Sequence, residues 1–110
     1  MNQLIKLLKI LVQKILYYYD PIAQCKRDGV IIGDRCRLVG RVSFGSEPYL
    51  VKLGDHVSIT QSSFVTHDGG VWVVRDTHPE LDVISPIIVG DNVFIGAGCQ
   101  ILPGVTIGNN

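Results

Sequence analysis

The stretch from Val89 to Asn110 reads VGDNVFIGAGCQILPGVTIGNN, and its period decides the fold. Apolar residues recur at every sixth position, namely at Val89, Ile95, Ile101 and Ile107. Apolar or small residues also stand two places before each of these four. Inward and outward alternation over three positions is typical of a very short strand, and the interspersed glycines tolerate the backbone angles of tight corners. The stretch therefore predicts short strands joined by regular turns.

The same period occurs earlier in the chain, in two frames. The first frame comprises Ile32, Leu38 and Phe44, and the second comprises Leu53, Ile59 and Val65. Three extra residues near 46–48, with the sequence Ser-Glu-Pro, account for the change of frame. A six-residue period predicts one face of a three-sided parallel coil, and stacked coils bury a continuous apolar column.

Two segments carry a family resemblance: VGDNVFIGAGCQILPGVTIGNN and, from Leu53, LGDHVSITQSSFVTHDG. They resemble hexapeptide-repeat acyltransferases of the sugar O-acetyltransferase type. This group includes galactoside and maltose acetyltransferases and the acetyltransferases of capsule and lipopolysaccharide synthesis. The resemblance implies an all-β fold, a left-handed parallel β-helix of hexapeptide repeats with a short N-terminal α-helix. The left hand follows from the resemblance, because periodicity alone does not determine it.

The chain divides into two expected parts. Residues 1–28 are expected to form an amphipathic helix and a linker, and residues 29–110 a β-helix domain of about three coils. A protruding loop is expected at about 68–85, where the hexapeptide period is lost. Relatives of this type continue for further coils that grip coenzyme A, so the resemblance implies a C-terminally truncated chain.

The N-terminal segment has helical spacing of its apolar residues between Asn2 and Tyr19. Lys6, Lys9 and Lys14 interrupt this run, which is too short and too charged to span a bilayer. A basic amphipathic helix could lie on an anionic membrane surface, or it could dock on its own domain or on a neighbouring subunit. Asp20-Pro21 predicts its end.

Composition excludes several function classes. Lys plus Arg and Asp plus Glu number 10 each, so no basic excess supports nucleic-acid binding. The three cysteines are widely spaced and lack a CxxC pair, which argues against a disulfide framework or a cysteine-ligated zinc site. A cytoplasmic location is expected.

Transfer of an acetyl group to a hydroxyl needs a base for the hydroxyl proton and donors for the developing oxyanion. Histidine is a natural base because its unperturbed pKa of about 6.5 lies near working pH. His67 stands where the coil ends and the loop begins, and the resemblance implies that it is the general base. Asp68 either orients the imidazole or caps the turn. His78 is a weaker candidate base, and His56 is expected to be a turn residue.

Other site residues are implied by position in the family. Phe94 stands where some relatives have a tryptophan that lines the active-site cleft, and the alternative is packing against another subunit. Gly96 and Ala97 match a stretch whose amides contact the pantetheine arm of acetyl-CoA, although any coil needs such turn residues. In the loop, Trp72 could stack on a sugar and Arg75 could pair with an anionic acceptor, or each could anchor the loop.

The expected function is acetyl-CoA-dependent O-acetylation of a sugar or polysaccharide-precursor hydroxyl, with no metal. The resemblance implies a homotrimer with direct transfer at the subunit interface, and the helix adds possible peripheral membrane contact. The main alternative is a non-catalytic or truncated β-helix scaffold. A serine O-acetyltransferase and a gamma-type carbonic anhydrase are further alternatives, but the spacing of the three histidines lacks the close pair that a carbonic anhydrase of this type would need.

Overall fold

A computed structural model describes residues 2–110. The chain begins with two helices, α1 (Gln3–Tyr19) and α2 (Pro21–Asp28). Eleven short strands follow: β1 (Ile31–Ile32), β2 (Arg37–Val39), β3 (Val51–Leu53), β4 (Val57–Thr60), β5 (Ser63–Phe64), β6 (His67–Asp68), β7 (Val83–Ile84), β8 (Ile87–Val89), β9 (Val93–Ile95), β10 (Gln100–Ile101) and β11 (Thr106–Ile107). Two 3-10 helices interrupt them, at Pro48–Leu50 and Gly69–Val74.

The strands form a three-sided parallel coil, as the period predicted. The first face has the order β1-β3-β8-β11, the second β2-β4-β9, and the third pairs β5 with β10. Every ladder on these faces is parallel. The only antiparallel pair among the described strands, β6 with β7, closes the base of the loop.

The buried column follows the six-residue period. Ile32, Leu53 and Val89 align on the first face, and Leu38, Ile59 and Ile95 align on the second. The second frame is wrong in one place, because Phe64 rather than Val65 points into the core. The bridge between Ser43 and Ser63 brings the Phe64 ring against the Phe44 ring, with centroids 4.9 Å apart. The turn at Gln61 is therefore one residue shorter than its neighbours in the coil.

One corner of the coil is a ladder of side chains that accept backbone hydrogen bonds. The Asp55 carboxylate accepts the Asp34 N–H at 2.8 Å, and the Asp91 carboxylate accepts the Asp55 N–H at 2.7 Å. The Asn109 carboxamide oxygen continues the ladder by accepting the Asp91 N–H at 2.7 Å. Each of these residues follows a glycine, and the glycines of adjacent coils stack closely: a Cβ on Gly54 would lie 2.7 Å from the carbonyl of Gly90.

The all-β class expected from the sequence describes only part of the molecule, because helical residues make up 31% of the chain. The reason lies in Asp20-Pro21, which ends α1 as predicted and also begins a second helix. The Asp20 carboxylate accepts the Ala23 N–H at 3.1 Å as an N-cap, and Pro21 occupies the first turn, where a missing N–H costs nothing. In α2, Gln24 and Cys25 are buried, and Cys25 packs in the core beside Val30.

Candidate active site

The candidate site lies where the third face of the coil opens into the loop. Phe64 and Thr66 are buried here and fix the backbone on both sides of Val65. His67 comes next, with an exposed side chain, and its backbone pairs with Ile84 in the antiparallel ladder of β6 and β7. The coil and the returning strand of the loop therefore hold His67 at a fixed position on the surface.

Two carboxylates face the His67 imidazole, one on each ring nitrogen. The Nδ1 atom lies 3.4 Å from Oε1 of Glu47, and the Nε2 atom lies 2.8 Å from Oδ1 of Asp82. Neither acid was expected from the sequence. Glu47 is 20 positions and Asp82 is 15 positions away along the chain, so only the folded coil and loop bring them together.

Glu47 is a firmly held partner. Its Oε2 accepts hydrogen bonds from the Thr66 hydroxyl at 2.9 Å and from the Ser46 hydroxyl at 3.0 Å, which leaves Oε1 for His67. The side chain is only 16% exposed. Desolvation alone would raise the pKa of Glu47, but the hydrogen bonds from Thr66, Ser46 and His67 outweigh it and hold that pKa below its ordinary value. Glu47 is therefore ionised near neutral pH.

Asp82 is held more loosely, since its side chain is 52% exposed. Its Oδ1 accepts from the backbone N–H of Val83 at 3.1 Å in addition to contacting His67. The hydrogen bond to His67 is the largest cause that lowers the pKa of Asp82. The same hydrogen bond is the largest cause that raises the pKa of His67, and Glu47 adds to it. The imidazole therefore favours its protonated form while Asp82 is in contact.

Asp68 has a local structural position. Its Oδ1 accepts the Gly70 N–H at 2.8 Å and so caps the 3-10 helix Gly69–Val74. Asp68 therefore makes the contact expected of a turn cap, and a carboxylate one residue after His67 in a strand points to the other side. The acids at the imidazole are Glu47 and Asp82.

The two loop residues proposed for acceptor binding differ in availability. Trp72 is 80% exposed on the 3-10 helix, so its ring is free to contact a ligand. The Arg75 guanidinium donates through Nη1 to the carbonyl oxygens of Pro79, at 2.7 Å, and Leu81, at 2.6 Å. Arg75 thus fixes the chain just before Asp82, which is the anchoring role that the sequence left open.

The residues proposed for acetyl-CoA lie on a different face from His67. Phe94 points outward from β9, is 68% exposed, and lines a cavity of about 460 Å³ together with Arg35 and Arg37. The carbonyl of Gly96 accepts the Ser62 hydroxyl at 2.8 Å, and Ala97 is exposed. His67 does not line that cavity, so one chain assembles the histidine with its acids but keeps Phe94 apart from them.

The remaining histidines have partners of their own. His56 occupies a corner with φ of 57°, as expected of a turn residue, and its Nδ1 lies 2.8 Å from the side-chain oxygen of Asn92. His78 contacts the Thr77 hydroxyl at 3.0 Å within the loop. The three histidines therefore lie at three separate places, and no group of three or more potential ligands converges in the described part of the chain.

A signal for Glu47 was present in the sequence. The three extra residues that shift the period, Ser46 to Pro48, include Glu47 itself and its hydroxyl partner Ser46. An insertion that interrupts a strict repeat bulges from the coil, and an acid within it is free of the coil's own hydrogen bonds. Asp82 had no comparable signal, because the loop conformation that returns it to His67 is irregular.

Comparison with known proteins agrees with this architecture. Residues 86–110 match the family model described as bacterial transferase hexapeptide (six repeats). The chain belongs to the hexapeptide-repeat transferase family. The repeat of this family implies a left-handed β-helix, which gives the handedness of the parallel coil. No solved structure gives a significant match.

Two curated relatives extend the likeness to the N-terminal coils of this hexapeptide-repeat protein. It is 56% identical over 81 residues to Protein CapG of Staphylococcus aureus, covering 71% of this chain and 47% of CapG. It is 38% identical over 80 residues to "Putative acetyltransferase YJL218W" of Saccharomyces cerevisiae, covering 66% of this chain and 40% of the yeast protein. The chain thus spans less than half the length of either relative.

Proposed function

We propose that this hexapeptide-repeat protein is an acetyl-CoA-dependent O-acetyltransferase that acts on a hydroxyl of a sugar or polysaccharide precursor. The observation that supports it most is the Glu47–His67 pair, an imidazole at the edge of a coil with Nδ1 facing an ionised, well-anchored carboxylate. Membership of a transferase family agrees with it, as does the likeness to the yeast protein named "Putative acetyltransferase YJL218W".

His67 acts as the general base through Nε2. Glu47 accepts from Nδ1–H, which fixes the tautomer that leaves the Nε2 lone pair free for a proton. Asp82 occupies Nε2 in this structure, so the acceptor hydroxyl must displace it. Displacement is feasible because Asp82 is half exposed and on the loop, whereas Glu47 is nearly buried and bonded to Thr66 and Ser46. Once Asp82 withdraws, the largest cause of the raised His67 pKa is removed and the ring becomes a competent base.

The transfer is direct. Acetyl-CoA supplies the acyl group as a thioester, which is activated toward attack by an oxygen nucleophile. Nε2 of His67 takes the hydroxyl proton as the new C–O bond forms and the C–S bond breaks, and it returns that proton to the departing sulfur. Glu47 stabilises the imidazolium between these two proton movements. Phe94 would contact the pantetheine arm through its exposed ring, with Gly96 and Ala97 beside it.

Self-association would complete the site. His67 and Phe94 lie on different faces of one chain, and a neighbouring copy could place its Phe94 face against the His67 corner. We therefore propose a homotrimer with one site in each cleft between subunits. Mixing two inactive variants, His67→Ala and Phe94→Ala, should restore activity, because some mixed clefts contain both native residues. Mixtures that stay as inactive as their parents would contradict shared sites.

The acceptor would meet the loop. Trp72 offers an exposed aromatic face of the kind on which sugar rings stack. The three cysteines are free thiols, which fits a reducing compartment, and we propose that the reaction takes place in the cytoplasm.

The decisive experiment measures thiol release from acetyl-CoA with a panel of sugars and nucleotide sugars, using the wild-type chain and His67→Ala. We expect acceptor-dependent release, and a fall of about 10²–10⁴-fold in the variant, which is typical for loss of a general base. The matched control is His78→Ala, which removes an exposed histidine from the same loop and should stay within about twofold of wild type.

Two results would overturn this proposal. Full activity in His67→Ala would exclude His67 as the base. The absence of release from a folded, self-associated chain across the whole panel would instead favour the non-catalytic scaffold.

A further inference from the structure

Helix α1 is amphipathic yet has no buried residue. The one residue of α1 that is partly shielded is Tyr17, near its C-terminal end. The Tyr17 hydroxyl donates to the Gly40 carbonyl at 3.0 Å and accepts from the Val42 N–H at 2.9 Å. Partial burial is the largest cause that raises the pKa of this phenol. The helix is therefore attached to the coil at Tyr17 and stands clear of it elsewhere.

The face that α1 turns toward the coil is its less apolar face. Ile10, Gln13, Lys14 and Tyr17 follow helical spacing and line a groove of about 1170 Å³ between the helix and the coil. The opposite face carries Leu4, Leu8, Leu11 and Ile15, also at helical spacing, and their exposed fractions are 47–64%. The same exposed side includes Ile5, Leu7, Val12, Leu16, Tyr18 and Tyr19. At 3.6 residues per turn these residues cover about half of the helix circumference.

The charge of α1 is of one sign. Residues 3–19 include Lys6, Lys9 and Lys14 and no acidic residue, although the whole chain is neutral. Lys9 and Lys14 flank the apolar half of the helix, where their long side chains can reach outward past it. Tyr18 and Tyr19 are both almost fully exposed at its end, with an apolar ring and a polar tip. A surface with an apolar interior and a negatively charged boundary complements this combination of apolar and basic side chains.

We infer that α1 binds in the plane of a membrane surface that contains anionic lipids, with its leucine face in the acyl boundary and its lysines at the headgroups. A helix of this kind, with one apolar half and a lysine-bearing opposite face, is typical of interfacial membrane binding. No described helix is long and apolar enough to cross a bilayer. Tyr17 then links the bound helix to the coil.

A second copy of α1 is a poorer occupant of the apolar face. Helices that pair with each other need only a narrow seam, whereas this face covers about half of the circumference. Paired copies would also bring lysines together with no acidic residue of the helix to neutralise them. Lipid headgroups supply the negative charge that a second helix lacks, and lysines near an anionic surface are attracted to it.

The test is co-sedimentation of the full chain with vesicles of phosphatidylcholine alone or mixed with phosphatidylglycerol. Binding should be strong only to the mixed vesicles and should weaken as salt rises. The variant Leu8→Glu/Leu11→Glu should bind more than about tenfold more weakly, because two large apolar side chains no longer enter the boundary. Its matched control is Gln3→Glu/Gln13→Glu, which makes the same change in net charge away from the leucine face and should retain most of the binding.

Both variants change exposed residues, so circular dichroism and thermal unfolding should show the wild-type fold. The inference does not depend on acetyl transfer, and activity on a soluble acceptor should be equal in all three proteins. Equal binding to neutral and mixed vesicles, no binding to either, or equal loss in both variants would overturn it. A smaller oligomer in Leu8→Glu/Leu11→Glu, without any vesicle binding by the wild type, would assign the face to a second copy instead.

Discussion

Two corners of the coil carry acidic residues, and they use them in opposite ways. One corner follows Gly33, Gly54 and Gly90 and is called the glycine corner. There, Asp55 and Asp91 each accept a backbone N–H from the preceding coil, and the hydrogen bonds are 2.7–2.8 Å long. At the His67 corner, Glu47 and Asp82 both contact the His67 imidazole, and Asp82 accepts a backbone N–H only from its own neighbour Val83. The first pair keeps the six-residue register and the second pair stands outside it. The acids that keep the six-residue period bond adjacent coils to each other, whereas the acids outside the period are available to contact the His67 imidazole.

The two corners should differ most in whether the carboxylate must be charged for the protein to work. Glu47→Gln keeps the shape of the side chain but removes the charge that stabilises the imidazolium, so we expect kcat/KM to fall on the order of 10²-fold. The matched change at the other corner, Asp55→Asn, should leave activity and stability nearly unchanged. An uncharged side chain is sufficient there, because the Asn109 carboxamide accepts the equivalent backbone hydrogen bond in the next coil. Steady-state kinetics on both variants would check this, and equal losses would remove the distinction between the corners.

The second comparison is between a glycine of this corner and a glycine of another corner, and it concerns stability. A Cβ on Gly54 would lie 2.7 Å from the Gly90 carbonyl, so Gly54→Ala should lower the free energy of unfolding by about 1–3 kcal/mol. Gly96 also follows a core residue of a strand but meets only the edge of the Phe94 ring, 3.8 Å away, and Gly96→Ala should cost less than about 0.5 kcal/mol. Urea unfolding of both variants measures the two costs. Equal losses in the free energy of unfolding would show that the backbone preference of glycine, and not close stacking of adjacent coils, requires glycine at position 54.

The smallest expected effect is a shift in pH dependence. Asp82→Asn removes the largest cause that raises the pKa of His67. Because a base works only when deprotonated, the rise of kcat/KM with pH should move to lower pH in this variant. Asp68→Asn is the matched control and should leave the profile in place, since Asp68 caps the Gly70 N–H. A profile that moves with Asp68→Asn and not with Asp82→Asn would assign the orienting role to Asp68 after all.

The same ion pair affects stability in a defined pH window. A raised His67 pKa contributes stability that is fully present below the unfolded value of about 6.5 and is lost as pH rises through the folded value. A lowered Asp82 pKa contributes stability that is present above its unfolded value and is lost as pH falls through the folded value. The pair therefore stabilises the fold between the folded-state pKa of Asp82 and the folded-state pKa of His67. Asp82→Asn should flatten the pH dependence of the free energy of unfolding around the His67 pKa.

The coil could be predicted from sequence because its buried residues recur at a regular spacing. Each buried residue on the first two faces, from Ile32 to Ile95, is a member of a six-residue series. The prediction failed at Phe64, where one turn is a residue shorter and the core is filled by an aromatic pair with Phe44. Packing of two large rings decided that position, and no local period reports such a contact.

The site was predicted only in part, for a related reason. The position of His67 follows from where the period stops, so it could be found, whereas its partners depend on how an insertion and a loop fold back. Arg75 illustrates the limit: a charged loop residue suggests a ligand, but its guanidinium is engaged by the carbonyls of Pro79 and Leu81. The second helix was missed because Asp20-Pro21 was interpreted only as a stop.

The unequal environments of the three thiols have a practical consequence for labelling. Burial raises the pKa of Cys25 to about 12, and the Cys36 thiol donates to the Gly54 carbonyl at 3.1 Å, whereas Cys99 is exposed. Since the thiolate is the reactive form, a maleimide dye should modify Cys99 first. A fluorophore or spin label placed there without mutagenesis would test whether copies of the chain associate. The same thiol would add background to any colorimetric reading of free coenzyme A, which Cys99→Ser would remove.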